Sequence, residues 1–167
     1  MADRTTAVVD PTDAQKCAPQ GTSWLDVEYD GETYPVRVHV TGNVVADDLP
    51  VVLNLHPSGS NAEGISAYNR LDDTGDAHGF VTVAPDAVIP VSDPNPNKRW
   101  FWNVPDVPTV AGEYPPDGTR DDVAFLTAVI DIVVELGCVD PQRVYMTGFS
   151  GGARMASAYA CARPDKV

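Results

Sequence analysis

The chain has few basic residues and no long apolar run. Its 167 residues include 11 Lys and Arg against 24 Asp and Glu, a formal net charge of −13. Such acidity argues against a nucleic-acid-binding protein, which needs a basic surface, and against adsorption to anionic membranes. No stretch approaches the roughly 20 consecutive apolar residues that span a bilayer. With 43% hydrophobic residues, the sequence predicts one folded domain with a core of its own.

Cysteines are also scarce. The three, Cys17, Cys138 and Cys161, are too few for a disulfide scaffold and too scattered for a zinc site.

Residues 1–20 lack the charged and apolar regions of a signal peptide, so either the protein is cytosolic or a signal was removed before Ala2. We expect residues 1–20 to form an extended polar segment that precedes the domain.

Hydrophobic periodicity predicts an α/β domain with a mostly parallel sheet and flanking helices. Alternating apolar residues favour two strands, 23–29 and 36–40, paired as an antiparallel hairpin at a sheet edge. Nearly continuous apolar runs predict strands buried on both faces. These strands cover residues 50–55, 80–84 and 143–147. A loop and a helix are predicted within 61–79, where Ile65, Tyr68 and Leu71 have helical spacing. Further helices are predicted over 121–137, capped by Asp121 and Asp122, and over 151–162.

One pentapeptide carries the strongest indication of chemistry. Gly148-Phe149-Ser150-Gly151-Gly152 fits the pattern G-x-S-x-G, for which about 0.04 chance matches are expected in a chain of this composition. A buried strand precedes it and a helix follows, which is the setting of a nucleophile elbow, a strained turn that lifts a serine hydroxyl above a sheet. We predict Ser150 as the nucleophile and the Gly151 N–H as one oxyanion donor. The alternative is an ordinary strand-to-helix turn that contains a serine.

The loop after the first buried strand complements this pentapeptide. It reads Leu55-His56-Pro57-Ser58-Gly59. In hydrolases that have a nucleophile elbow, the corresponding loop supplies the second oxyanion N–H. Because proline has no N–H, the predicted donor is Ser58 or a neighbour. A Gly/Ser loop without a role is the alternative. We expect His56 to support this loop by hydrogen bonds rather than to act as a base.

The stretch 121–152 resembles the polyhydroxybutyrate-depolymerase-like esterases, which include feruloyl and acetylxylan esterases of the α/β-hydrolase fold. Residues 80–86 and 102–103 also fit that family's pattern, and the resemblance extends over about 50–167. It implies an extracellular or periplasmic enzyme that cleaves esters, polymeric ones included, through a Ser-His-Asp triad without a metal or cofactor. The family's loop usually reads Leu-His-Gly, whereas here Pro57 replaces the glycine.

The order of residues departs from a complete triad. In this fold the acid and then the histidine follow the serine, and no histidine follows Ser150. The three histidines are His39, His56 and His78. We therefore expect residues 21–167 to be the N-terminal portion of a hydrolase domain that is truncated after the elbow helix, with the missing His and Asp on a C-terminal remainder. Strand 143–147 then becomes a sheet edge.

Aromatic residues in the proline-rich loop allow two interpretations. Trp100 and Trp102 flank Phe101, and the two tryptophans are candidates for an aromatic wall that binds the ester substrate. Core packing under the loop is the alternative. A disulfide between Cys138 and Cys161 is a further hypothesis, because a strand that rises and a helix that returns bring both cysteines to the same end of the sheet.

Three functions remain open from the sequence. The leading one is a serine esterase in which Ser150 attacks the ester carbonyl. The second is a non-catalytic binding module with the hydrolase fold. The third is an acyltransferase that uses the same serine and passes the acyl group to an alcohol.

Overall fold

A computed structural model describes residues 20–42, 48–137 and 139–167. The strands are β1 (Gly21–Tyr29), β2 (Glu32–Val40), β3 (Leu49–Leu55), β4 (Val81–Ala84), β5 (Ile89–Pro90), β6 (Trp100–Phe101) and β7 (Val139–Gly148). The helices are α1 (Ala62–Asn69), α2 (Leu71–His78), α3 (Asp122–Glu135) and α4 (Gly151–Ala162). The extended segment predicted for residues 1–20 lies, but for Gln20, outside the described residues.

Five strands form one mixed sheet in the order β1-β2-β4-β3-β7. Strands β4, β3 and β7 run parallel, and the hairpin β1–β2 joins β4 in antiparallel orientation. The predicted α/β class, the parallel sheet and the antiparallel hairpin at its edge are thereby confirmed. Because the three parallel strands end on the same side of the sheet, the loops that follow them meet there.

The core follows from the apolar patterns. Every residue of β4 is buried, and so are Val51, Leu53 and Leu55 of its neighbour β3. Strand β2 instead alternates, with its valines inside and the residues between them more exposed. This alternation is typical of a strand nearer the sheet edge, and the continuous run is typical of one covered on both faces.

Local sequence sets where the helices begin and end. Helix α3 begins where the Asp121 carboxylate accepts hydrogen bonds from the N–H groups of Val123 and Ala124, as the predicted cap requires. The interval 61–79 holds two helices instead of the single helix expected, because Arg70 adopts a left-handed conformation at φ 51° and separates them. Helix α4 has the predicted bounds.

Strand β7 lies at one edge of the described sheet, and Tyr145 on it is 54% exposed. The strand begins four residues earlier than the sequence predicts, and β3 pairs with it at Leu49–Val139 and again from Val51–Val144 to Leu55–Gly148. The proline-rich interval contains a short hairpin, β5–β6, that the sequence does not predict. Of the described helices, none has the length and apolar character needed to cross a membrane.

Candidate active site

Ser150 occupies a strained corner between β7 and α4. Its backbone has φ 52° and ψ −111°, a region that non-glycine residues rarely adopt and that costs about 1–3 kcal/mol. The side chain is exposed at the N-terminus of α4. The corner is fixed to the end of β3 by a hydrogen bond from the Phe149 N–H to the Leu55 carbonyl, 3.2 Å. The corner therefore presents a serine hydroxyl above the carboxyl ends of the parallel strands.

The glycines of the pentapeptide let backbone segments approach each other closely. A Cβ on Gly152 would collide with the carbonyl oxygen of Leu55, and one on Gly148 would lie 2.5 Å from the Gly152 carbonyl carbon. Both contacts are with backbone, which a rotamer change cannot relieve. The helix that carries Ser150 can pack against the end of β3 only because these two positions have no side chain.

Two backbone N–H groups lie beside the serine. A Cβ on Gly151 would overlap the Ser58 Oγ and lie 2.9 Å from the Ser58 nitrogen, so the loop after β3 passes directly over the first residue of α4. Within the described part of the chain, neither the Ser58 N–H nor the Gly151 N–H donates a hydrogen bond. These are the two donors that the sequence predicts for an oxyanion hole, and the structure places them together.

The loop that carries Ser58 is anchored by the segment around β6. The Trp100 backbone exchanges hydrogen bonds with it: the Gly59 N–H donates to the Trp100 carbonyl, 2.9 Å, and the Trp100 N–H donates to the Ser60 carbonyl, 2.9 Å. The Trp102 indole N–H donates to the His56 carbonyl, 2.8 Å. Three backbone positions of the loop are thus held on one side, which fixes the direction of the Ser58 N–H.

The His56 imidazole is fully buried and has partners at both nitrogens. The Ala87 N–H donates to Nε2, 3.0 Å, so Nε2 carries no proton, and the Nδ1–H donates to the Pro57 carbonyl, 2.9 Å. The pKa of this ring is lowered to about 4, mainly by burial and to a smaller extent by the positive charge of Arg120, against the opposing effect of the hydrogen bond to Pro57. His56 is therefore a neutral histidine that holds the loop, and its supporting role in catalysis stays a prediction.

Two acidic groups, for which the sequence does not predict this role, complete the anchoring. Asp86 accepts a hydrogen bond from the Ala62 N–H, 2.6 Å, at the first residue of α1, and burial raises its pKa to about 6. Asp122, fully buried, accepts from the Arg120 Nε, 2.8 Å, while Arg120 Nη2 donates to the Asp86 carbonyl, 2.9 Å. The one sequence signal for Asp86 is its place just after a buried parallel strand.

Neither of the other histidines lies at the elbow. His39, on β2, contacts Thr22 Oγ1 at 2.9 Å and Asp76 Oδ1 at 3.1 Å, on the hairpin side of the sheet. His78 is exposed at the end of α2. In the described ranges there is no group of three His, Cys, Asp or Glu side chains placed to hold a metal ion.

The two tryptophans predicted to bind substrate differ in the structure. Trp102 is 4% exposed and packs in the core, its ring 4.9 Å from that of His56, so the prediction of a substrate wall is wrong for this residue and core packing is the correct alternative. Trp100 is half-buried, and its indole N–H has no partner among the described residues. Its backbone makes hydrogen bonds to the Ser58 loop, and its side chain packs against the edge of the core.

One cysteine of the predicted disulfide lies outside the described residues. Cys161 is an exposed, free cysteine near the end of α4, and Cys138 lies outside the described residues. The pairing therefore stays a prediction.

The sheet order, the strand–serine–helix corner and the loop over it define an α/β-hydrolase fold. Among solved structures, an acetyl xylan esterase from Aspergillus awamori aligns with a TM-score of 0.63 and 17% sequence identity, over 86% of this chain and 48% of that one. At this identity the likeness establishes the fold alone. No family model matches the chain.

Two curated proteins are similar in sequence. NocK of Nocardia uniformis subsp. tsuyamanensis, assigned as an esterase, is 29% identical over 157 residues, which are 93% of this chain and 42% of that protein. Feruloyl esterase B of Thermothelomyces thermophilus is 28% identical over 116 residues, 70% of this chain and 35% of that protein. The resemblance to esterases of this fold is thereby confirmed. The chain spans less than half the length of either relative.

Proposed function

We propose that the protein is a serine esterase with Ser150 as its nucleophile. The observation that carries the proposal is the corner itself: a serine at φ 52° on the N-terminus of α4, with the N–H groups of Gly151 and Ser58 close by and without partners in the described chain. Esterase relatives support the same reaction class. The substrate is a carboxylic ester of the polyester, feruloyl or acetyl class.

The proposed reaction has two steps. The Ser150 Oγ attacks the ester carbonyl carbon while a base takes its proton, and the carbonyl oxygen becomes an oxyanion that accepts hydrogen bonds from Gly151 and Ser58. Collapse of this intermediate breaks the bond to the alcohol, which leaves with a proton, and an acyl-serine remains. Water then attacks the acyl-serine, releases the carboxylic acid and restores the hydroxyl.

None of the three histidines of this chain is placed to act as the base. His56 has both ring nitrogens engaged and a pKa of about 4. His39 contacts Asp76 at the hairpin side, and His78 is exposed at the end of α2. We therefore assign the catalytic histidine and its acidic partner to residues beyond these 167. An extracellular or periplasmic location belongs to the same proposal and rests on the family resemblance.

The test is covalent labelling of the protein as its host produces it. A fluorophosphonate probe is expected to modify Ser150, located by peptide mass spectrometry, and Ser150→Ala is expected to lose labelling and to lower kcat at least about 10⁴-fold. Ser157→Ala, which removes an exposed hydroxyl from the same helix, is the matched control and retains both. An unlabelled wild-type protein would contradict the proposal and favour the binding module.

The same protein separates hydrolysis from acyl transfer. With an ester substrate and an added primary alcohol, an esterase releases mainly the free acid. A product that is mainly the new ester would replace hydrolysis by acyl transfer through the same serine.

A further inference from the structure

Two exposed aromatic rings stack next to Ser150. The ring centroids of Tyr68 and Phe149 lie 5.6 Å apart with 28° between the ring planes. Tyr68 is 69% exposed and Phe149 is 52% exposed. Each of the other ring pairs in the described chain includes a buried ring. Among the described residues, the Tyr68–Phe149 pair is thus an exposed aromatic surface and not part of the core.

Both rings are borne by backbone that is already fixed. Phe149 is held through its N–H to the Leu55 carbonyl, 3.2 Å. Tyr68 is the penultimate residue of α1, whose start is capped by Asn61 and whose last residue, Asn69, exchanges two amide hydrogen bonds with the buried Asn54, 3.2 and 2.9 Å. A flat ligand that binds these rings therefore pays little conformational entropy on the protein side.

The position of the Tyr68–Phe149 pair indicates which part of an ester bound at Ser150 it contacts. Phe149 directly precedes Ser150, so their Cα atoms are about 3.8 Å apart. Helix α1 follows directly after the loop that carries Ser58. A carbonyl carbon bonded to Ser150 consequently has this aromatic surface within reach of the group attached to it.

We propose that Tyr68 and Phe149 form a subsite that binds a planar aromatic group of the ester by stacking. The proposal rests on the proposed esterase function and adds a substrate preference to it. Stacked and edge-to-face ring pairs contribute beyond the area that they bury, so the subsite distinguishes an aromatic ring from a saturated ring of the same size. The aromatic group belongs either to the acyl part or to the alcohol part of the ester, because both are attached to the carbonyl carbon.

The experiment compares esters that differ only in ring planarity, using the protein as its host produces it. For the acyl side the pair is methyl 3-phenylpropanoate and methyl 3-cyclohexylpropanoate. For the alcohol side it is 2-phenylethyl acetate and 2-cyclohexylethyl acetate. The variants are Tyr68→Leu, Phe149→Leu and the double variant. Trp24→Leu is the control, since Trp24 is 40% exposed on β1, at the opposite edge of the sheet from β7.

The double variant is expected to raise KM about tenfold for the phenyl ester of one pair, the pair that identifies the acyl or the alcohol side. KM for the matching cyclohexyl ester changes by less than about twofold. In Tyr68→Leu, which leaves the elbow sequence unaltered, kcat for both esters also changes by less than about twofold. Trp24→Leu leaves all four esters unchanged. Equal changes for phenyl and cyclohexyl esters, or no change for either, would overturn the subsite.

Labelling separates the failure of this proposal from that of the esterase function. If wild-type Ser150 reacts with a small alkyl fluorophosphonate and the variants react at the same rate, the elbow is intact, and an unchanged phenyl preference counts against the subsite alone. If wild-type Ser150 does not react, the esterase function and the subsite fall together. Tyr68→Leu, which leaves the elbow sequence unaltered, provides the answer if substitution of Phe149 lowers the labelling rate.

Discussion

Asp86→Asn is expected to make the protein lose stability in mild acid. In the wild type, the protonation of Asp86 raises the free energy of unfolding as the pH falls and so offsets the decrease that His56 causes. The folded pKa of His56 is about 4 and its ordinary value is 6.5. Between pH 6.5 and 4 the unfolded chain binds a proton at this ring and the folded protein does not. The free energy of unfolding therefore falls as the pH falls, by about 3 kcal/mol over the whole interval.

Asp86 acts in the opposite direction. Burial raises its pKa from 3.8 to about 6, so between pH 6 and 3.8 the folded protein holds a proton that the unfolded chain lacks. The free energy of unfolding then rises as the pH falls, again by about 3 kcal/mol. Over pH 4–6 the two slopes nearly cancel. The effect of Asp86 is fully present below pH 3.8 and is lost by pH 6, whereas that of His56 is present above pH 6.5 and is lost toward pH 4.

Urea unfolding followed by tryptophan fluorescence from pH 4 to 7 tests this balance. Relative to the wild type, Asp86→Asn loses about 3 kcal/mol from pH 6.5 to 4, His56→Gln gains about as much from pH 6 to 4, and the double variant follows the wild-type profile. Asp117→Asn, which alters an exposed carboxylate, is the control and also runs parallel. An Asp86→Asn profile parallel to the wild type would refute the reasoning.

Two further predictions concern the corner. Gly152→Ala places a Cβ against the Leu55 carbonyl and is expected to lower the free energy of unfolding by about 1–3 kcal/mol and to slow the labelling of Ser150. The control is Gly42→Ala, whose Cβ meets only a side-chain atom at 3.9 Å. Equal effects of the two substitutions would contradict the packing argument. Ser150→Gly is expected to be about 1 kcal/mol more stable to urea than Ser150→Ala, because only the glycine relieves the strain at φ 52°, and equal stability would show that the corner is unstrained.

The sequence predicts those features that local rules determine. A strand, two glycines around a serine and a helix specify the corner, and helix α4 has the predicted bounds because Gly151 and Ala162 stand where the apolar pattern begins and ends. Asp121 caps α3 as expected. In each case the residues that decide the structure are within a few positions of one another.

The features that the sequence does not predict depend on distant contacts. The spacing of Ile65, Tyr68 and Leu71 favours one helix with one apolar face, but Arg70 interrupts it and Tyr68 stacks on Phe149 instead of entering the core. The two tryptophans that flank Phe101, Trp100 and Trp102, cannot be told apart from the sequence. Only tertiary structure distinguishes them, since Trp102 is buried in the core with its indole N–H on the His56 carbonyl, whereas Trp100 is partly buried at the edge of the core.

Backbone strain at Ser150 bears on the choice between a catalyst and a binding module. A serine at φ 52° costs about 1–3 kcal/mol, a large share of the 5–15 kcal/mol by which domains are ordinarily stable. A binding module gains nothing from this strain, whereas a catalyst gains an exposed hydroxyl beside the N–H groups of Gly151 and Ser58. The strain therefore favours the esterase or the acyltransferase. The strain does not distinguish an esterase from an acyltransferase, because the product depends on whether water or an alcohol reaches the acyl-serine. Measuring how the acyl group divides between water and an added alcohol distinguishes the two.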